Sequence, residues 1–449
     1  MRKKIHPVPL AARFRAFAVL LLLVLAAVTG ILVPDLLDAI DAVGRNVYKL
    51  TLGLERDNAI DDYLLGVAYA GGILLSIVFW PAPRGDKAHL LALWIVRCFV
   101  TLVFMLIYER VYSIDAFAYF SESIFTLPRY EFHLRDNYSV LVNAAWWVNH
   151  HLLPFPSYHA QKVIFSLVGF LGSYLLYRGS ARFLAREEPV VLYAMNLVPS
   201  LLFWSSILGK DPVTYFGVCL VLYAVMSILR GWSLGSVLAL AAGLGISYVV
   251  RPWLVFILCV PLGMFYVMRV RSTVVKVLAV AALPFLLSMA TQGMMDFLGL
   301  GSTEEVVSAT HAVSRSWSRG GSGQDVPEFK TGLDMIAFAP KGLFTALFRP
   351  LPGEILNPFG LIAGLENLLL LLLFVRGFRV NGLKAVFSNT FAVTMLSFIL
   401  AWGLIYGFVS YQNLGAAVRF KLQILPAMVA LALYLNWEED PHVRHNGPG

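Results

Sequence analysis

Apolar residues run through this chain in long blocks separated by short polar turns, without the alternation that marks a water-facing strand. Crossing a bilayer takes roughly 20 mainly apolar residues per helix. The pattern predicts about twelve such helices, near residues 17–34, 63–81, 89–108, 162–177, 189–208, 213–229, 234–250, 252–268, 274–295, 355–375, 387–408 and 420–436. The expected fold class is therefore all-α, a polytopic integral membrane protein forming one transmembrane domain over residues 1–449. Arg2, Lys3, Lys4, Arg13 and Arg15 precede the first block, which ends at Pro34-Asp35 without a small-residue cleavage site. It reads as a retained span with a cytoplasmic start.

With that start, the short connections holding Arg84 and Lys87, Arg178 to Arg186, Arg230, Arg269 to Lys276 and Arg376 to Lys384 fall on the cytoplasmic side. Basic residues outnumber acidic ones there and the balance reverses outside, as the positive-inside rule requires, so both termini are expected in the cytoplasm. Three external segments are long: 35–62, 109–161 and 296–354. The first is rich in Asp and Glu. The second contains Leu141, Ala145, Val148 and Leu152 at helical spacing beside Trp146 and Trp147, the pattern of an interfacial helix. In the third, Ser302 and Glu305 fit a capping box opening a short amphipathic helix, and the Gly/Ser-rich 318–325 stretch has too few apolar residues to pack and is expected to be mobile.

Composition sharpens this picture. Of 449 residues, 59% are hydrophobic and 14% charged, well below the quarter or so carried by a soluble domain. A net charge of +8 could point to nucleic acid, but the basic residues are dispersed among loops with no aromatic-interleaved patch. Cys98, Cys219 and Cys259 all lie in apolar blocks and make no disulfide framework or metal set. The external His133, His150, His151 and His159 have no firm metal-ligand spacing, so no cofactor is called for and a divalent cation is not indicated.

Charge inside or beside lipid is costly and is normally kept for ion, substrate or proton chemistry. Lys210-Asp211 sits in a turn between two apolar blocks and is the clearest pointer of this kind. The same topology places Asp115 and Tyr119, Arg251, Arg349 with Glu354, and Arg419 with Lys421 at the outer ends of spans. Arg97 lies within a span and needs a partner, for which Glu366 is one match. A layer of Arg and Lys at headgroup depth suits a lipid phosphate, gripped by the Arg fork and the Lys point charge. A carboxylate held ionised among those cations could accept the proton of an attacking sugar hydroxyl as the lipid phosphate departs. Asp115 is the first candidate for that base and Asp35 the second; Lys210, Asp211, Arg251, Arg349, Arg419, Tyr119 and Glu354 are the candidate substrate contacts.

Four stretches carry a family resemblance: Asp115 to Tyr119, Pro199 to Asp211, Val250 to Trp253 and Arg419 to Pro426. In their order along residues 112–430 the chain resembles the GT-C superfamily of integral membrane glycosyltransferases, especially bacterial polysaccharide-cluster members. The resemblance implies a many-span helical fold in the bacterial cytoplasmic membrane, a polyprenyl-phosphate-linked sugar donor, a glycan or lipid acceptor and an extracytoplasmic active site. It also implies a catalytic Asp in an early external loop, a role that falls on Asp115, with phosphate contacts at Lys210, Arg251, Arg349 and Arg419. The family usually places its acid directly after the first span, whereas Asp115 follows the third expected here, and no large C-terminal soluble domain is present. The same features fit a polymerase joining lipid-linked oligosaccharide repeat units through Arg-bearing external loops. In other classes stand a transporter or flippase for lipid-linked saccharide, which would show mid-membrane polar residues and broken spans, and a non-catalytic assembly scaffold.

Overall fold

The computed structural model describes residues 35–49, 59–112, 114–125, 136–270 and 332–436, with a few isolated positions between 272 and 329. It is helical throughout these stretches and divides at Arg251/Pro252 into two compact units. Among the described residues, seven helices are long and apolar enough to cross a membrane, or eight if one bent pair counts as a single span. The expected spans at 17–34 and, for almost all of its length, 274–295 lie outside the described residues, as do the Ser302–Glu305 capping box and most of 318–325.

In the first unit, α1 covers residues 35–49, α2 Ala59–Ser76 and α3 Arg84–Val111. Two shorter helices follow, α4 (Asp115–Ser123) and α5 (Asn137–Trp147), then the long α6 (Tyr158–Leu184). Helices α7 (Pro189–Leu197), α8 (Pro199–Trp204), α9 (Lys210–Arg230) and α10 (Leu234–Val250) complete the unit. Local sequence sets these boundaries. Ser157 caps α6 by accepting from the Ala160 amide, and Asp136 caps α5 through the amides of Tyr138 and Ser139. Pro189 and Pro199 occupy first-turn positions, where a missing N–H costs nothing. Pro199 thereby restarts the chain in a new direction, and the single span expected at 189–208 is instead two short helices followed by a turn.

The segment 109–161, expected to be an external loop, is largely helical in its described residues. Its helix α5 exists where the periodicity places it, and Leu141, Ala145 and Val148 are buried within the protein. Leu141 and Val142 join one apolar cluster with Val43 and Val47 of α1, Leu106 of α3, Phe117, Tyr119 and Phe120 of α4, Tyr158 and Phe165 of α6, Leu208 and Val250. That cluster ties together the ends of six helices, and it forms the floor on which the polar groups described below are set.

The second unit consists of α11 (Pro252–Arg269), α12 (Gly332–Phe348), α13 (Pro358–Ser388), α14 (Thr390–Val409), α15 (Leu414–Lys421) and α16 (Leu425–Asn436). Asn357, Asn389 and Asn413 cap α13, α14 and α15 with their side-chain oxygens. Helices α15 and α16 meet at 70°, so the region expected as one span at 420–436 begins with a sharp break.

Candidate functional site

Apart from a group around Asp86, which accepts from Tyr174, Tyr177 and Arg178, four polar residues of the first unit lie at helix ends. Each joins the start or finish of a helix to another: α2 to α6 through Asp62, α3 to α6 through Glu109, α9 to α5 through Lys210, and α9 to α10 through Asp211. Five of the residues singled out from the sequence, Lys210, Tyr119, Asp211, Arg251 and Asp115, belong to this region. Lys210 opens α9, and its Nζ donates to Asn137 Oδ1 at 2.6 Å and sits 5.9 Å from the centre of the Tyr119 ring. Gly209, with φ +153°, makes the turn into α9, and a Cβ there would lie 3.5 Å from the same ring. Asp211 and Arg251 form a buried ion pair at 2.8 Å. Asp115 is exposed at the first position of α4, one helical turn before buried Tyr119 and on the same face.

What holds the Lys210 turn in place is Arg97, fully buried in α3. Its Nη1 donates to the Ser205 carbonyl (3.2 Å), Ser205 Oγ (2.9 Å), Ser206 Oγ (3.4 Å) and the Ser166 carbonyl (3.3 Å). A guanidinium at the carboxyl end of α8 complements the helix dipole there. The approach requires glycine at 169, where a Cβ would come within 2.3 Å of the Ser205 oxygen. The sequence reading gave Arg97 a carboxylate partner. It takes neutral oxygens of the chain segment leading into the site instead.

Sequence reasoning missed the most deeply buried charges. Lys162 Nζ lies 2.8 Å from Glu109 Oε2, both side chains fully shielded, and the Tyr158 hydroxyl donates to Glu109 Oε1 at 2.8 Å. Close by, Asp62 Oδ1 accepts from Ser157 Oγ (2.5 Å) and from the His159 amide (3.2 Å). Asp62 lies in the acid-rich segment 35–62, which the sequence marks only by its composition. The signal available was position alone: each of these charges falls within a turn of a span end, where a solvated residue and a buried one look alike.

In the second unit, Arg349 is also ion-paired. Its Nη2 lies 2.6 Å from Glu354 Oε1, its Nε donates to the same oxygen at 2.7 Å, and Nη2 reaches Gln324 Oε1 at 3.3 Å. Glu354 Oε2 accepts from the Leu351 amide at 2.6 Å. Burial pushes the Glu354 carboxyl up, but the Arg349 hydrogen bond, the Leu351 amide and the Arg349 charge outweigh it and hold the group below the ordinary glutamate value. Lys421, fully buried at the end of α15, donates to Asn367 Oδ1 (2.7 Å) and to the Arg349 carbonyl (3.0 Å). Arg419, half-buried, precedes it on the same helix. Arg251 and Arg349 are thus each engaged by a carboxylate, and Asp211 and Glu354, expected to contact substrate, serve as their counter-ions. Among the described residues no group of three His, Cys, Asp or Glu side chains could hold a metal ion; His150 stacks on Trp146 with ring centres 4.7 Å apart.

Removing one partner of a buried ion pair leaves the other charge without its counter-ion, at a cost of about 3–5 kcal/mol. Arg251→Leu should therefore lower the unfolding temperature of the detergent-solubilised protein sharply, and Asp211→Asn added to it should restore part of the loss. The Glu354 pair sets a pH dependence. Its folded value is depressed, so its contribution is fully present above the ordinary glutamate value and is lost as pH falls through the depressed one. The difference in melting temperature between the wild type and Glu354→Gln should hold at neutral pH and shrink once the pH drops below the ordinary glutamate range.

Compared with known proteins, the chain matches no family model, no curated sequence and no solved structure.

Proposed function

We propose that the protein is a membrane glycosyltransferase that moves a sugar from a polyprenyl-phosphate-type lipid donor to a glycan or lipid acceptor at the extracytoplasmic face of a bacterial cytoplasmic membrane. The observation that carries this reading is the turn at Lys210. An ammonium, the first amides of a helix and a neighbouring aromatic ring are brought together at the end of membrane-spanning helices. Asp211 is neutralised by Arg251, so the formal charge of these three residues sums to one positive, and the amino end of α9 adds its partial positive charge. That combination favours an anionic group such as a phosphate ester.

Asp115 is the proposed base. Standing exposed one turn from Tyr119, it can accept the proton of the attacking hydroxyl as the new glycosidic bond forms. The bond from the anomeric carbon to the phosphate oxygen breaks, and the leaving phosphate keeps the electron pair near Lys210. Charge grows on the phosphate in the transition state, so a cation fixed there stabilises that state more than the ground state.

The test uses the purified full-length protein in nanodiscs with polyprenyl-linked radiolabelled sugars, following release of polyprenyl phosphate. Asp115→Asn should cut the release rate by about 100-fold or more, the scale of general-base loss, while the donor still binds. Release at the wild-type rate by Asp115→Asn would remove the proposed base. Transport of intact lipid-linked saccharide across the bilayer, with no cleavage, would replace the enzyme reading by a flippase.

A further inference from the structure

A cavity of about 500 Å³ opens in the first unit, bounded by α1, the start of α2, α4 and the residues leading into α6. Val47, Leu64, Leu65, Ala68 and Pro156 give it apolar walls, with the rings of Tyr48, Phe120 and Phe155 among them, and Asp61 and Asp62 are its charged lining. The volume is within the range of small-molecule sites, and the mix of apolar walls with a few placed polar groups is what such sites show.

The geometry points to a binding site for an uncharged, hydroxyl-bearing ligand, a sugar ring whose apolar face packs on the aromatic walls while its hydroxyls donate to Asp62. The carboxylate is prepared for that task. Ser157 Oγ and the His159 amide both donate to Oδ1, which fixes the group's orientation, and the carboxylate lines the cavity as an acceptor for a ligand. Ser157 is itself anchored as the cap of α6, and Tyr158 and His159 stack edge-on, so the support is a helix start rather than a loose loop.

The charges around the cavity select against anions, which would face Asp61 and Asp62 together. A quaternary ammonium is drawn to that charge but has no hydrogen to donate to the Asp62 carboxylate. The hydroxyls of a neutral polyol can donate to it, at little ordering cost to the protein. On the glycosyl-transfer reading, on which this assignment rests, the sugar in the cavity is the acceptor, and the cavity is distinct from the phosphate contact at Lys210.

The test reads binding without turnover, so its outcome does not depend on catalysis. The full-length protein in nanodiscs is titrated calorimetrically with hexyl β-D-glucoside, hexyltrimethylammonium and hexyl phosphate, three probes with one tail and different heads. The glucoside should bind saturably and more tightly than either ion, with the phosphate at least 10-fold weaker. Asp62→Asn, nearly isosteric and still able to accept from Ser157, should weaken the glucoside at least 10-fold. Phe155→Ala, which trims a ring already 43% exposed and so spares the fold, should weaken it several-fold. Preference for either ionic probe, no saturable glucoside binding, or glucoside binding unchanged in both variants would overturn the proposal. If the glucoside binds as expected but no polyprenyl phosphate is ever released from a lipid-linked donor, the transferase reading falls and the sugar site remains.

Discussion

A charge carried below the membrane surface must be answered from within the protein, because lipid offers neither water nor counter-ions. That constraint organises both units. In the first, Glu109 and Lys162 neutralise each other in full isolation from solvent, Asp211 and Arg251 form a second buried pair where α9 begins and α10 ends, and Arg97 donates through Nη1 to carbonyl and hydroxyl oxygens. In the second, Arg349 and Glu354 pair while Lys421 is held by an asparagine and a carbonyl. Each arrangement needs several helix ends to meet, and the shared apolar cluster beneath them makes that meeting possible in the first unit. Buried ion pairs of this kind add little to stability compared with an apolar replacement.

The arrangement separates two chemical environments within the first unit. One is the Lys210 turn, positive in sum and set at a helix amino terminus. The other is the Asp62 cavity, walled by rings and carboxylates. Arg97 belongs to the first by fixing the segment between α8 and α9, and Tyr119 and Phe120, adjacent on α4, face the two environments in turn: the Tyr119 ring borders Lys210 and Phe120 lines the cavity. A transferase needs one place for an anionic leaving group and another for a neutral nucleophile, and the short helix α4 lies between places with those properties.

Much of the helical architecture was legible in the apolar blocks, since long runs of Leu, Val, Ile and Phe admit few alternatives in lipid. Helix α5 was legible from four apolar positions at helical spacing, although its apolar face is buried in the protein. Lys210-Asp211 and Arg251-Pro252 stood out because charge interrupts an apolar run. Three features were not legible. Pro199 was visible, yet nothing in the sequence says whether a proline bends a helix or restarts one. The Glu109–Lys162 pair joins residues 53 positions apart, and a pairing at that separation leaves no local trace. Asp62 looked like the other acids of its segment because the groups that engage it, Ser157 and His159, are brought up by a different helix. The sign of a site residue can be read from the chain; its partner is set by the packing.

Lys210 is the proposed contact for a phosphate on a lipid carrier, and direct binding tests this most simply. Native mass spectrometry of the full-length protein released from nanodiscs containing polyprenyl phosphate should show one carrier retained by the wild type and at least 10-fold less retention by Lys210→Met, with similar melting temperatures for the two proteins. Equal retention by the two proteins, or retention of neutral polyprenol as well as of its phosphate, would contradict it.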